Sequence, residues 1–150
     1  MIISRFSLVI WSCIGIFGCS SKQDPYTIWE TYQGDPGSNQ YSSLGQINKG
    51  NVDQLKVAWV YQTGDSLGQQ SQIQCNPIIV DDILYATSPT IKLIALRAAT
   101  GELFWEFDPA LDFSPHVNRG VTYWESGNDK RILFTAGSLL FAIDAITGLL

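Results

Sequence analysis

The chain has 150 residues, with 14 acidic and 9 basic side chains and a formal net charge of −5. Length alone predicts one ordinary domain. No basic cluster interleaved with aromatic residues occurs in the sequence, which argues against nucleic acid as a partner.

The N-terminus has the pattern of an export signal. Residues 1–18 carry one charged side chain, Arg5, before an apolar run. A short positive start, an apolar core and a small residue at the cut are typical of a secretory signal rather than a membrane span. Residues 16–19 resemble a bacterial lipobox, in which Cys19 becomes the lipidated first residue of the mature protein. We therefore expect export and a lipid anchor on the periplasmic side, in either membrane; an ordinary signal peptide or an uncleaved anchor are the alternatives.

The three cysteines have different expected fates. Cys13 lies in the segment that would be removed and Cys19 would be acylated, so Cys75 is the one thiol expected in the mature chain. A single thiol forms no internal disulfide. Residues 19–27 are expected to be a polar tether behind the lipid.

Turn formers and aromatic residues are concentrated in residues 29–44. Aromatic side chains at that density need a surface to pack on, so this segment is predicted to be an ordered loop rather than a linker. Either Asn48 or Asn51 is predicted to cap a short helix that ends near Leu55.

Beyond Leu55 the apolar residues follow a period of two, and no helical period occurs. The first predicted strand covers residues 57–61. The others are short and evenly spaced, at residues 77–80, 83–86, 92–96, 103–107, 121–124, 131–135 and 139–143. Asp81 with Asp82, and Thr100 with Gly101, are the expected hairpin turns. Gly101 supplies a backbone conformation that a side chain would resist, and the chain is predicted to be all-β.

One stretch nearly repeats itself. Residues 95–105 are echoed 47 residues later by residues 142–150, and both copies contain a Thr-Gly pair. A period of about 40 to 50 residues marks the four-stranded blade of a β-propeller. Ring closure takes at least about four blades, whereas the second copy breaks off before its tryptophan. The sequence therefore predicts only about the first two blades of a propeller, over residues 28–150.

Several motifs occur in a specific order and spacing: Tyr32, Gly34, Asp35, Tyr41, Ser42, residues 46–48, Asn51, Val52, Ala58, Trp59, residues 63–65, residues 118–121, Tyr123 and Trp124. Together they resemble the quinoprotein dehydrogenases that use pyrroloquinoline quinone (PQQ), above all the glucose-type and alcohol-type enzymes. That resemblance implies an incomplete PQQ-type propeller, and it covers roughly residues 28–150.

The repeated element is similar to the tryptophan-docking motif of this family, in which an indole packs against a peptide plane near the turn of a neighbouring blade. Arg97 stands where the motif usually has Asp, and Asp144 keeps that Asp in the second copy. The resemblance implies blade-docking roles for four residues: Trp59, Gly101, Trp105 and Gly148.

The resemblance also implies a cofactor site. PQQ is a flat, tricarboxylated ortho-quinone that requires stacking surfaces, a cation at its quinone oxygens and donors for its carboxylates. Arg119 matches the family arginine, whose fixed fork of N–H donors can stabilise charge that develops on reduction. Gln74 matches a cofactor-contacting position, and its amide can donate to a carboxylate. His116 is implied as a stacking ring and Asn118 as a further pocket residue.

Simpler interpretations exist for these residues: a surface salt bridge for Arg119, a strand cap for Gln74 and a structural role for His116. Alcohol-type relatives have two adjacent cysteines where this chain has Phe113 and Ser114. Other candidates with open roles are Asn76, where many relatives have Thr, and Thr135.

The activity that the resemblance implies is oxidation of a sugar or an alcohol by hydride transfer to PQQ, with electrons passed to a membrane quinone or a cytochrome. A Ca²⁺ ion and a general base would come from residues beyond 150, so no catalytic residue and no metal ligand is expected here. This part of the protein alone is expected to be inactive. Two non-enzymatic alternatives are a propeller lipoprotein scaffold, similar to the component of outer-membrane β-barrel assembly, and a degenerate propeller kept as an interaction surface.

Overall fold

The computed structural model describes residues 27–110 and 117–150, which form two antiparallel sheets. In the first sheet, four strands follow one another in chain order: β1 (Ile78–Val80), β2 (Ile83–Thr87), β3 (Leu93–Arg97) and β4 (Leu103–Phe107). The second sheet has three: β5 (Thr122–Ser126), β6 (Asp129–Ala136) and β7 (Leu139–Asp144). One sheet is thus a complete four-stranded meander and the other repeats its first three strands.

Tight turns set the register of the first sheet. Asp81 and Asp82 have φ angles of 48° and 64°, the backbone of a two-residue hairpin turn that Asp tolerates better than most residues. Val80 consequently faces Ile83 across the β1–β2 pair. Gly101, at φ 72°, turns the chain from β3 into β4. The hairpins predicted from these residues are confirmed.

The hydrophobic core lies between the two sheets. Its most deeply buried large side chains come from both of them: Ile78, Leu93, Ile132 and Ile143. Removing each from water contributes on the order of 2 kcal/mol before the entropy of ordering is counted. Three rings pack beside this cluster, with centroids 5.3 to 6.2 Å apart: Phe107, Phe134 and Phe141. Apolar residues at alternate strand positions therefore hold the sheets together.

The strand predicted at residues 57–61 is wrong. Within the described ranges these residues pair with no strand. Val57 and Val60 are 79% and 71% exposed, whereas Trp59 between them is half-buried. The alternation reflects one inward-facing indole rather than a position in a sheet.

The predicted helix is only a single 3-10 turn, Val52–Gln54, and no side chain caps it. Asn51 Oδ1 accepts a hydrogen bond from Asn48 N at 2.8 Å, and Asn51 Nδ2 donates to Gln46 O at 2.7 Å. Short amide side chains readily bond to nearby backbone in this way, so the asparagines stabilise the loop that precedes the turn.

Within residues 27–110 and 117–150, no helix is long and apolar enough to cross a bilayer. Several predictions concern residues outside these ranges, namely the signal segment 1–18, Cys13, Cys19, Phe113, Ser114 and His116.

Candidate functional site

Trp105, in β4, docks on the turn that follows β7 in the second sheet. Its Nε1 donates to Ala145 O at 3.0 Å, and the hydroxyl of the buried Tyr85 donates to the same oxygen at 3.0 Å. Burial raises the pKa of Tyr85 to about 12, so this hydroxyl stays a donor at neutral pH. A Cβ on Gly148 would lie 2.8 Å from Trp105 Cδ2, so only glycine accepts the indole here. Two hydrogen-bond donors of the first sheet thus hold the turn that follows β7 in the second sheet.

Trp59 docks on the matching turn of the first sheet. Its Nε1 donates to Ala98 O at 3.0 Å, and a Cβ on Gly101 would overlap the indole. Asp65, a few residues further on, holds the segment by accepting bonds from Ser88 Oγ at 2.5 Å and from Thr90 N at 3.2 Å. The Trp59 segment therefore has a carboxylate anchor of its own.

The pKa of Asp65 reflects the hydrogen bonds that its carboxylate accepts. Partial burial alone would raise the pKa of Asp65, but hydrogen bonds from Ser88, Thr63 and Thr90 outweigh burial and lower it to about 2. Asp65 is consequently ionised at neutral pH, which strengthens the bonds that it accepts.

The segments that lead into the first strands of the two sheets pair with each other. Asn76 and Gly120 form a parallel bridge, two residues before β1 and β5 respectively. Asn76 N donates to Arg119 O at 3.1 Å, and Asn76 Nδ2 donates to the same oxygen at 3.3 Å. This junction brings the Gln74 segment beside Arg119, and it gives Asn76 a structural role in holding the Arg119 carbonyl.

Arg119 is exposed at this junction, and its guanidinium makes no hydrogen bond or ion pair with the residues that the structure describes. It lines an open depression of about 360 Å³. The lining residues are Tyr32, Arg119, Gly120, Val121 and Thr122. None of these five residues is acidic, so they supply no counter-charge to the guanidinium.

Asn118 is 7% exposed and bonds to backbone. Its Oδ1 accepts from Gly120 N at 2.8 Å, and its Nδ2 donates to Thr135 O at 2.9 Å, in β6. The side chain thereby fixes the backbone on both sides of Arg119. A cofactor contact by Asn118 stays a prediction, as does one by the exposed Thr135 side chain.

Gln74 is exposed, and its Nε2 donates to Gln72 Oε1 at 2.7 Å. Cys75, between Gln74 and Asn76, is a half-buried free thiol whose pKa is raised by burial, with a smaller opposing effect from Thr87. His116 lies outside the described residues, so its stacking role stays a prediction. The junction therefore carries the Arg119 guanidinium and, in Gln74, a side-chain amide that is not bonded to the junction backbone.

A guanidinium and an amide at one end of the inner strands suit an anionic ligand, because both donate hydrogen bonds to carboxylate or quinone oxygens. Their chemistry fits a polycarboxylated quinone. The described residues contain no group of three or more His, Cys, Asp or Glu that could hold a metal ion. The fold and this site together define part of a β-propeller with an exposed guanidinium at the junction where β1 and β5 begin.

Comparison with known proteins places this propeller in a family. Residues 29–150 match the family model described as PQQ, glucose/ethanol/alcohol dehydrogenase, β-propeller domain. The chain belongs to this family, and the predicted fold class is confirmed. The dehydrogenase subunit of the quinone alcohol dehydrogenase of Gluconacetobacter polyoxogenes is 36% identical over 127 residues, which cover 80% of this chain and 16% of that protein.

A quinoprotein glucose dehydrogenase of Gluconobacter oxydans is 34% identical over 110 residues, covering 68% of this chain and 14% of that one. Among solved structures, the quinohemoprotein alcohol dehydrogenase from Comamonas testosteroni superposes with a TM-score of 0.71 and 31% identity, over 84% of this chain and 19% of that chain. The chain thus spans less than a fifth of the length of these relatives.

Two residues at the junction had no assigned role in the sequence analysis. Tyr32 belongs to a family motif, yet nothing in its spacing connects it with Arg119. For Asn76, which stands where the resemblance has Thr, the sequence predicts no particular role. Gly120 was the available signal, since a glycine directly after a functional arginine indicates close approach by another group.

Proposed function

We propose that this chain is the N-terminal part of a PQQ-dependent dehydrogenase that oxidises an alcohol or a sugar hydroxyl. The observation that carries the proposal is the Arg119 guanidinium, which pairs with none of the residues that the structure describes and faces an open depression beside the Gln74 segment. Membership of the PQQ family supports it. In the complete protein, we propose that electrons leave through a cytochrome or a membrane quinone and that Ca²⁺ is bound by residues beyond 150.

PQQ, when bound, would supply the oxidising power by accepting a hydride from the substrate carbon. The residues of this chain would bind and orient it. Arg119 would donate to oxygens of the quinone and stabilise negative charge as it develops there. Gln74 would exchange its bond to Gln72 for one to a carboxylate of the cofactor. Asn118 and Asn76 would keep the Arg119 backbone in place through the bonds described above.

The proposal is tested on the full-length protein, reconstituted with PQQ and Ca²⁺ and assayed by dye-linked oxidation of ethanol, 1-butanol and glucose. Arg119→Ala is expected to lower kcat about a hundredfold, as for loss of one donor to a developing oxyanion. It is also expected to weaken PQQ binding about tenfold, equivalent to about 1.4 kcal/mol. Arg119→Lys should recover part of the binding, because it restores the charge but not the planar fork.

Arg131→Ala is the matched control, because Arg131 forms a local ion pair with Asp129 at 2.6 Å in β6. It should leave both quantities near wild type. Wild-type kcat and PQQ affinity in Arg119→Ala would refute the role of Arg119. Failure of the wild-type protein to bind PQQ would refute the enzyme and favour a non-enzymatic scaffold.

We also propose that the protein is exported and anchored by a lipid on Cys19. The support is the signal-like pattern of residues 1–18 followed by the lipobox-like residues 16–19. Labelling cells with radioactive palmitate should modify the wild-type protein but not Cys19→Ala. Equal labelling of the two proteins would contradict lipidation at Cys19.

A further inference from the structure

Tyr32 lies on a turn that is anchored to the first sheet through Trp29. Gly34 N donates to Thr31 O at 2.9 Å and closes the turn, and Ile79 N of β1 donates to Trp29 O at 2.8 Å. Gly34 also packs on Trp29, since a Cβ there would lie 3.2 Å from Trp29 Cζ3. The backbone that carries Tyr32 is therefore fixed relative to β1, and so relative to the junction.

The Tyr32 ring contacts the backbone directly after Arg119. A Cβ on Gly120 would lie 3.3 Å from Tyr32 Cδ2, closer than most Cβ contacts, so the absence of a side chain on Gly120 permits this approach. Tyr32 is nevertheless 40% exposed. Part of the residue covers Gly120, and the ring also lines the depression that Arg119 faces.

The depression consequently combines an aromatic ring with a guanidinium that has no partner among the described residues. Its other lining residues, Gly120, Val121 and Thr122, are small or medium in size and uncharged. A flat anionic ligand suits such a site, because its charged oxygens bind the guanidinium while its ring plane contacts the aromatic side chain. A ring on an anchored turn loses little freedom when the ligand binds, so little entropy is lost on binding.

We propose that Tyr32 is a binding residue of the Arg119 site, where its ring contacts the bound quinone cofactor. This inference rests on the proposed function, which names PQQ as the ligand. It also assigns a task to the N-terminal segment: one wall of the site comes from the residues that precede the first blade.

The test uses the full-length protein without cofactor and measures PQQ binding by equilibrium dialysis, with thermal unfolding of the same samples. Tyr32→Ala is expected to weaken PQQ binding about five- to tenfold, in the range of an aromatic contact. Tyr32→Phe, which keeps the ring, should bind within about twofold of wild type. The matched control is Tyr41→Ala, a change in the same segment at a residue that is 57% exposed and does not line the depression. It should bind PQQ as the wild type does.

Each outcome decides a different point. Unchanged PQQ affinity in Tyr32→Ala would overturn the inference while leaving the proposed function intact. Equal weakening in Tyr32→Ala and Tyr41→Ala would also overturn it, because the effect would then belong to the whole segment. If Tyr32→Ala does not fold, Tyr32→Leu keeps most of the volume without an aromatic ring, and wild-type affinity there would equally refute the contact. Only a wild-type protein that fails to bind PQQ would overturn the proposed function itself.

Discussion

The two docking turns occupy the same place in the repeat but are stabilised differently. In the second turn, Ala145 O accepts from both Trp105 and Tyr85, and Asp144 Oδ1 accepts from Ile146 N, Thr147 N and Thr147 Oγ1. In the first turn, Ala98 O accepts from Trp59, and Arg97 replaces the acidic residue. The guanidinium of Arg97 lies over the Phe104 ring, 4.9 Å from its centroid.

The contrast separates what docking requires from what only strengthens it. Both turns have a glycine at φ 72°, a carbonyl that accepts the indole N–H, and a tryptophan on the glycine. The capping carboxylate is present in one turn alone. Asp65 compensates in the first turn, because it binds the segment that carries Trp59 to the Ser88–Thr90 loop. Glycine and carbonyl are therefore the common requirement, and the acidic cap is replaceable.

The largest effect is expected for removal of the docked Trp105 indole. Trp105→Ala loses a hydrogen bond and contacts with Tyr85, whose ring centroid is 5.8 Å away. We expect it to lower the local free energy of opening by about 3 kcal/mol, against about 2 kcal/mol for Trp59→Ala, whose flanking residues are exposed. Native-state hydrogen exchange at the Gly148 and Gly101 amides, in the full-length protein, measures the two turns separately. Equal losses would contradict the stronger second turn.

The glycines should come next. Gly101→Ala and Gly148→Ala each place a methyl group against an indole at positive φ. We expect a loss of about 2 to 3 kcal/mol for each, somewhat more at Gly101, where the overlap is deeper. Gly127→Ala is the control, because Gly127 has φ 61° but nothing within 4 Å of its added Cβ. It should lose only about 1 kcal/mol, and a similar loss at all three positions would mean that backbone strain alone is responsible.

Asp65 tests whether the first turn has its own anchor. Asp65→Asn removes the charge from a group that accepts from Ser88 and Thr90, and it should destabilise the Trp59 segment by about 1.5 kcal/mol. The pKa of Asp65 is lowered on folding from 3.8 to about 2, so its stabilisation is present above about pH 4 and is lost as the pH falls toward 2. Proteolysis of the segment between pH 5 and pH 2 should show this dependence in the wild type but not in Asp65→Asn.

The smallest effects concern the cap. Asp144→Ala should weaken the second turn by about 1 kcal/mol, the usual cost of a lost capping oxygen. Hydrogen bonds from Thr147 lower the pKa of Asp144, so its contribution to stability also disappears as the pH falls through that lowered pKa. Arg97→Asp should bring the first turn closer to the second, with a gain of about 0.5 kcal/mol after loss of the Phe104 contact. Exchange at the Gly148 amide measures the loss in Asp144→Ala, and exchange at the Gly101 amide measures the gain in Arg97→Asp. A loss in Arg97→Asp would show that the cation–π contact is the better cap.

Much of the fold could be predicted because short residue patterns determine its turns. Asp81 with Asp82, and Thr100 with Gly101, fixed the hairpins, and alternating apolar residues fixed the strands beside them. Residues 57–61 show the limit of this reasoning. A period of two reports which side chains point inward, but it does not report whether another strand is present to pair with.

The site could be predicted only in part. Arg119 was found because its neighbours form a motif, and the junction then placed the Gln74 segment beside it. The part played by Asn118 could not be seen in the same way, since its oxygen and nitrogen bond to the backbone of Gly120 and Thr135, a contact across two elements. The contact of Tyr32 with this site could not be predicted for a related reason: its partner, Gly120, lies 88 positions further along the chain.

The half-buried Cys75 thiol is a chemical probe of how often the junction opens. A thiol reacts as its thiolate, and burial raises the pKa of Cys75, so reagents should modify it slowly while Asn76 remains bonded to Arg119. Any ligand that tightens this contact should slow the reaction further, and any substitution that loosens it should speed it up. The alkylation rate of one native side chain, followed by mass spectrometry of its peptide, would thus time the opening between the first strands of the two blades.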